Sequence, residues 1–368
     1  MVENLKKYFG IVLLSFILFL HGIGMLAGNT FVGIYHGIFF ATFRNVYDHT
    51  MGYLPFAFFY LVLMGWVWSI LRMWWKFKKE KKTLTSRKAY INGSRRMMNG
   101  LLCLFSLFYI LWGFNYYRAD LMTYQGWKEV EIDHHTLSQE FTWVTQMVNQ
   151  TRSKCEMNNI SNWETIEDTL RKAQTDLLIQ WKYPVHGRVR VRPLYPKGSL
   201  LRISTAGFYN PFSFEGHVDL GLHPLSRPFT IAHEMAHGYG FTDEGECNFI
   251  GLLTCLKTSK PEINYSGWLS YWKYLYFDMK EKNPDLAKIE YNNLIQVVKD
   301  DLKAIRATSD QYPDIFPFIR DVIYEFYLKM HGVEDGLESY SAITNLMLSY
   351  KNSSQYSVKY KLENISDQ

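Results

Sequence analysis

Two histidines four residues apart, with a glutamate directly after the first, are the residues whose types and spacing most directly imply chemistry in this 368-residue chain: His233-Glu234-Met235-Ala236-His237. On a helix, residues i and i+4 share a face. His233 and His237 can therefore offer two imidazoles to one zinc ion, at about 2.0–2.1 Å each. Glu234 would project toward the zinc-bound water and take its proton as that water attacks a scissile carbonyl. Zinc assists by drawing the pKa of the water down toward about 7. The predicted activity is hydrolysis of peptide bonds by a zinc metallopeptidase.

The flanking residues favour this reading over a charged surface helix. Pro228-Phe229-Thr230-Ile231-Ala232 supplies a helix start and a buried face, and Gly238 and Gly240 end the helix after the second histidine. The chain can then fold back across the metal, as a third ligand requires. Asp243-Glu244-Gly245-Glu246 follows, ahead of an apolar helical run from Cys247 to Leu256. Glu246 is the favoured third ligand because it begins the next helix and its carboxylate can swing back to the imidazoles; Glu244 is the alternative. Asp243 and Glu246 also have capping-box spacing, so Glu246 can instead serve the helix N-terminus. Asp243 is a candidate for orienting a ligand histidine through its second ring nitrogen. Tyr265 is a candidate donor to the oxyanion of a tetrahedral intermediate, with an ordinary buried tyrosine as the alternative. Gly207 to Leu222 reads either as an edge strand that pairs with an extended substrate or as a structural hairpin. His217 and His223 lack ligand spacing to the main pair and read as structural.

The elements that must position these residues form a mostly helical α+β domain over 119–368. Ser161-Asn162-Trp163-Glu164 has capping-box spacing and opens a helix that runs through Leu178. The stretch 185–220, with Val, Ile, Phe, prolines and glycines, reads as short strands and turns, including a short antiparallel segment. Helices are expected at 228–238 and 243–257, and again through the C-terminal hundred residues.

The first 118 residues differ in kind. Mean hydropathy over the whole chain is only -0.17, but that average hides a strongly apolar N-terminal part. About 8–26, 54–73 and 97–114 read as three transmembrane helices. Lys6 and Lys7 also suit a signal peptide, yet the first apolar run is longer than a usual signal core. A basic loop at 74–96, with Lys76, Lys78, Lys79, Arg87, Arg95 and Arg96 against the single acid Glu80, is placed in the cytoplasm by the positive-inside rule. Residues 31–43 are expected to lie along the bilayer surface or dip into it. His21 in the first span reads as a packing residue. This topology predicts a multi-pass protein of the bacterial inner membrane with its zincin-like domain on the extracytoplasmic, periplasmic side. The partners expected are the lipid bilayer and a peptide or protein substrate.

Other classes find no support. The net charge of +5 is concentrated in the basic loop, so it is not a nucleic-acid footprint. There is no CxxC pair, no Gly-rich phosphate loop and no internal repeat. The four cysteines are too few and scattered for a disulfide framework. Cys247 and Cys255 lie eight apart on one helix, about 12 Å by helical rise, too far to bond each other; either can pair with Cys155 in an oxidising compartment.

Several segments carry a family likeness: Leu54-Pro55-Phe56, Trp112-Gly113-Phe114-Asn115-Tyr116-Tyr117-Arg118, Gly207-Phe208-Tyr209-Asn210-Pro211-Phe212, Pro228 through Phe249, Tyr265-Ser266-Gly267 and Glu338-Ser339-Tyr340-Ser341. On these the chain resembles an uncharacterised bacterial family of membrane-anchored, zincin-like metallopeptidases defined as a domain of unknown function. That family has Glu-Ala-Asn-Phe where this chain has Glu246-Cys247-Asn248-Phe249. The resemblance implies a gluzincin-like arrangement with Glu246 as zinc ligand, and it supplies no substrate. Two rival functions remain. An intramembrane protease is disfavoured by Arg227, Asp243, Glu244 and Glu246 close to the motif. A non-catalytic zinc-binding envelope module, acting as sensor or scaffold, would not need the base Glu234.

Overall fold

The N-terminal apolar run folds as one long helix, α1 (Val2–Ile34), that passes through a π-helical turn (Tyr35–Phe40) into α2 (Ala41–Asp48). The computed structural model describes residues 2–156, 162–315 and 338–356. Gly28 interrupts α1 with φ 44° and ψ -118°, a conformation open to glycine because it has no Cβ. Helices α3 (Phe59–Thr83) and α4 (Ser86–Leu111) follow, α1 packing along α4 and α4 along α3. Arg96 grips Glu80 across the α3–α4 turn, Nη1 to Oε1 2.7 Å.

Among the described helices, the stretch Tyr8–Asp48 alone is long and apolar enough to cross a membrane by length and composition. The sequence reading of three such spans is therefore corrected to one. The reason lies in where the helices begin and end. α3 starts at Phe59, not Leu54, and runs on through Arg72, Lys76 and Lys78; α4 carries Arg87, Lys88, Arg95 and Arg96 in its first half. The charges dilute both apolar runs within their own helices.

The rest of the chain is mostly helical around a small sheet. Its helices are α5 (Leu121–Gln125), α6 (His134–Ser153), α7 (Trp163–Gln180), α8 (Arg227–Gly238), α9 (Glu244–Lys257), α10 (Pro261–Lys282), α11 (Pro284–Asn293), α12 (Gln296–Asp310) and α13 (Glu338–Lys351). Asn162 caps α7, accepting from the Thr165 amide at 2.9 Å; Ser161, the expected cap, lies outside the described residues. The sheet comprises β1 (Arg190–Leu194), β2 (Gly207–Asn210) and β3 (Glu215–Asp219) in the order β1-β3-β2. β2 runs antiparallel to β3, as expected, but β1 pairs with β3 in parallel. The sheet is thus mixed rather than a simple antiparallel segment.

α9 is the centre of the helical core. Gly245 through Leu256 are all buried, and α7, α8, α10 and α13 surround the helix. A helix that is apolar all round must be enclosed in this way. Each fully buried Phe249, Ile250, Leu252 or Leu253 side chain contributes roughly 1.5–3 kcal/mol. α8 lies between α9 and the sheet, touching both. At the α8–α9 crossing Gly251 has no side chain, and a Cβ there would stand 3.2 Å from the His233 amide nitrogen.

A second apolar cluster, including Tyr35, Phe40, Tyr47, Leu111, Trp112, Phe114 and Phe214, joins the N-terminal helices to the sheet. Phe40 and Tyr35, which the sequence places at the bilayer surface, are buried in it. Arg44 donates to the Phe214 carbonyl at 2.6 Å. Arg190 and Arg192 of β1 both donate to the Gly52 carbonyl at 3.0 Å while their guanidinium groups pair with Glu167 and Glu215. Cys103, Cys155, Cys247 and Cys255 are free thiols.

Candidate metal centre

The two histidines project from α8 because the other face of that helix is buried. Ile231, Ala232, Met235 and Ala236 are fully enclosed, which fixes the rotation of α8 and leaves His233 and His237 on one side. Gly240, at φ 94°, reverses the chain after the helix, as the sequence suggests. A Cβ there would meet Asn115 Oδ1 at 3.0 Å and His36 Nε2 at 3.1 Å. The chain then enters α9, and Glu244, its first residue, turns back to the imidazoles.

Glu244 Oε2 lies 3.1 Å from His233 Nε2, and Glu244 Oε1 lies 3.5 Å from His237 Nε2. The ligand atoms of these three residues all fall within 4.8 Å of one another. The opposite ring nitrogens are engaged elsewhere. His237 Nδ1 is 2.9 Å from the Phe241 carbonyl oxygen, and His233 Nδ1 is 2.8 Å from Asn248 Oδ1. Tyr274 also donates its hydroxyl to Asn248 Oδ1 at 3.0 Å. Carbonyl oxygens only accept, so each imidazole carries its proton on Nδ1 and turns the Nε2 lone pair inward. Two lone pairs and a carboxylate then converge, an arrangement stable only around positive charge.

The electrostatics agree. Burial alone would raise the Glu244 carboxyl, but the two imidazoles hold it well below the usual carboxylate range. Burial alone would lower His237, but the Cys247 thiol and Glu244 beside it raise it well above an ordinary imidazole. Without a cation, a proton takes up the charge. Two inward Nε2 atoms, one carboxylate and externally held Nδ1 protons match the donor set and outer partners of a three-ligand zinc site.

Glu234 sits behind the first histidine, against the sheet. Burial pushes its carboxyl up to about 7, against the pull of His233 and His237. Its Oε2 is buried with no hydrogen-bond partner among the described residues. Two glycines make its space. A Cβ on Gly207 of β2 would lie 2.8 Å from Glu234 Oε1, and one on Gly216 of β3 would lie 2.9 Å from Glu234 Cβ.

The other predicted residues stand elsewhere. Glu246, the favoured third ligand, faces the far side of α9. There its Oε2 pairs with Arg118 Nη2 at 2.9 Å and its Oε1 accepts from the Leu121 amide. Burial pushes this carboxyl up to about 7 although Arg118 opposes the rise. Asp243 caps α9, accepting from the Glu246 amide at 2.8 Å, and touches neither ligand histidine. The ring nitrogens it was expected to orient are held by Asn248 and Phe241 instead. The Tyr265 hydroxyl donates to Asp301 at 2.8 Å, so it serves that ion pair with Arg152 rather than the centre. His217 is fully buried in β3 and His223 caps a short 3-10 turn, the structural places expected of them.

Three contributors were not foreseen. Asn248 had a usable signal, since it lies four residues after Glu244 and so shares its helix face. Trp112, the residue after α4, donates its indole N–H to the His237 carbonyl at 3.1 Å. Tyr116, 41% exposed, stacks edge-on against Trp112 at 5.5 Å, and its phenol feels the charges of His237 and Glu244. Neither aromatic has a sequence signal linking it to a motif more than a hundred residues away. Cys247 lies 3.3 Å from His237 Nδ1, and burial pushes its thiol up to about 12, which keeps it protonated.

No curated protein and no solved structure matches this chain. One family model does match, from the π-helical turn through nearly all of α13, so that it takes in both α3 and α4 and the candidate metal site. Its description names no activity. Over residues 35–348 the chain matches the model of the protein of unknown function family DUF3810, and it belongs to that family.

Proposed function

We propose that this protein is a membrane-anchored, zinc-dependent metallopeptidase of zincin-like, HExxH type. The observation that carries the reading is the convergence of His233 Nε2, His237 Nε2 and the Glu244 carboxylate, with a deeply buried glutamate, Glu234, beside them. A zinc ion held there would supply a Lewis acid for a scissile carbonyl and would acidify a water. His233 and His237 are kept in register by Asn248 and the Phe241 carbonyl. Glu244 contributes the negative charge of the ligand set. Glu234, with its carboxyl near neutrality, takes the proton from the attacking water and returns it to the leaving amine. β2 is the edge of the sheet, and an extended peptide added along it would pass Gly207, against which Glu234 packs. Tyr116 at the rim, rather than Tyr265, is the phenol suited to meet the substrate carbonyl.

The anchor belongs to this reading. Large apolar side chains on α1, α3 and α4 point outward, among them Phe19, Leu26, Met64, Trp68, Ile70 and Leu101. Such apolar exposure, on α3 and α4 packed beside the one candidate span, supports a lipid-facing position for these two helices as well. The basic residues around the α3–α4 turn favour a cytoplasmic position for that turn, which leaves the metal centre on the extracytoplasmic side.

The test is the Glu234→Gln protein, purified full-length and loaded with zinc. Its peptidase turnover is expected to fall by at least about 100-fold, the usual worth of a general base, with zinc content unchanged. Undiminished turnover would remove Glu234 from catalysis. Absence of any peptidase activity in zinc-loaded wild-type protein would favour the alternative, a zinc-binding module that senses or scaffolds partners.

A further inference from the structure

Resting on the peptidase reading, we infer that the substrates are polypeptides that emerge from the bilayer beside α3 and are cut close outside it, rather than peptides free in water. The position of the substrate edge relative to α3 and α4 carries this. α3 is joined to the sheet over its first two turns. The Phe59 amide donates to Glu215 at 3.4 Å. The Phe59 ring meets Phe208 of β2 edge-on at 5.4 Å and lies 5.0 Å from His217 of β3. Tyr60 exchanges hydrogen bonds with the backbone of Tyr195 at 2.8 and 3.2 Å. Trp66 meets Phe212, in the turn that leaves β2, edge-on at 5.3 Å.

Trp66 lies seven residues beyond Phe59, about 10 Å along the helix axis. The β2–β3 turn therefore reaches down α3 by roughly that distance. Just beyond it Val67, Trp68, Ile70 and Leu71 are exposed, the surface that suits acyl chains. α4 arrives at the same level, because the residue after its last turn, Trp112, is the donor to the His237 carbonyl. Tyr53, Tyr116 and Tyr195 are exposed around this margin, as amphipathic aromatics are where hydrocarbon meets water. The metal centre and β2 thus stand where these helices leave their apolar stretch. β3 pairs one side of β2, and no strand among the described residues pairs the other.

A folded protein in water would have to lower an unfolded segment to this margin. A chain leaving the bilayer is already extended there, and sharing the membrane raises its effective concentration at β2. The charged side chains of the centre, Glu244 and Glu234 among them, place the cut outside the hydrocarbon rather than within it.

The experiment uses full-length, zinc-loaded protein in phosphatidylethanolamine–phosphatidylglycerol vesicles. The substrate is one membrane-spanning helix followed by a long unstructured tail of mixed sequence, with the same tail supplied free as comparison. Mass spectrometry maps the cuts. They are expected within about ten residues of the bilayer, about 33 Å of extended chain, whatever the local sequence. The free tail should be cut at least about tenfold more slowly at equal bulk concentration, as loss of effective concentration requires. Cuts spread evenly along the anchored tail, or equal rates for both tails, overturn the inference and leave the peptidase reading intact. A second readout needs no turnover: Glu234→Gln protein with a photo-reactive phenylalanine analogue at position 208 should cross-link the membrane-proximal part of the tail. Cross-links there without any cutting by wild-type protein would sink the peptidase reading while supporting docking at β2. Absence of those cross-links overturns the inference whatever the cutting shows.

Discussion

Glu244 and Glu246 are the same residue type two positions apart on one helix, about 200° around its axis, and that angle separates their work. Glu244 turns to the imidazoles, whereas Glu246 turns to Arg118 in a pair whose side chains are 5% and 9% exposed. Removing each should therefore give opposite results. Glu244→Ala is expected to purify with substoichiometric zinc and a near-normal melting temperature. Glu246→Ala should keep its zinc but lose on the order of 3 kcal/mol of stability, because Arg118 is left buried and unpaired. Metal analysis by mass spectrometry alongside thermal melting checks both. A folded Glu246→Ala protein without zinc would reverse the assignment. The sequence leaves this choice open because a capping box and a ligand both call for a carboxylate near the start of a helix. The angle between the two faces resolves it, once α9 is seen to begin at Glu244 itself.

At the scale of elements, Glu234 is positioned by how closely α8 lies on the sheet. Gly216 of β3 permits that approach: a Cβ there would sit 2.9 Å from Glu234 Cβ and 3.0 Å from Val191 Cγ2. Neither neighbour is a flexible tip, since one belongs to the backbone-proximal part of α8 and the other to β1. Gly216→Ala is thus expected to destabilise by about 1–3 kcal/mol through overpacking. It should also lower turnover more than it lowers zinc content, because Glu234 moves while the ligands face α9. A thermal melt and a zinc assay on the same preparation distinguish this from simple unfolding. The short strands were legible from their Val, Pro and Gly content. The parallel pairing of β1 with β3 was not, since it brings together residues more than twenty positions apart through packing on α8.

Across the whole molecule, the N-terminal helices and the helices that carry the candidate site share one contact network rather than a tether. His217 lies in that joint, between Phe59 of α3 and Phe208 of β2, near Glu215 and Arg192. Burial, reinforced by Arg192, lowers its imidazole to about 3. The folded protein thus keeps His217 neutral, while the unfolded chain protonates it near 6.5. This histidine's contribution to stability is complete above about pH 6.5 and declines as pH falls toward 3, by about 1.4 kcal/mol per unit. Glu215, which burial raises, acts in the opposite sense, favouring the folded state at low pH. Between pH 7 and 5 the wild-type protein should therefore lose about 2 kcal/mol more stability than His217→Leu. Denaturant titrations of both proteins in detergent check this, and equal losses would refute the burial argument.

The sequence by itself determined that His233 and His237 share a face, because a five-residue motif on one helix needs only local geometry to place them there. It also determined the helix boundaries of α8 and α9 to within a residue and the apolar character of the N-terminal part. Only the tertiary structure decided which glutamate meets the histidines, which groups hold their far nitrogens, and that Trp112 and Tyr116 border the centre. Those relations join α4, α8 and α9 across long stretches of chain. They depend on helix rotation and crossing distance, which are set by burial of whole faces and by the gaps left at Gly207, Gly216 and Gly251.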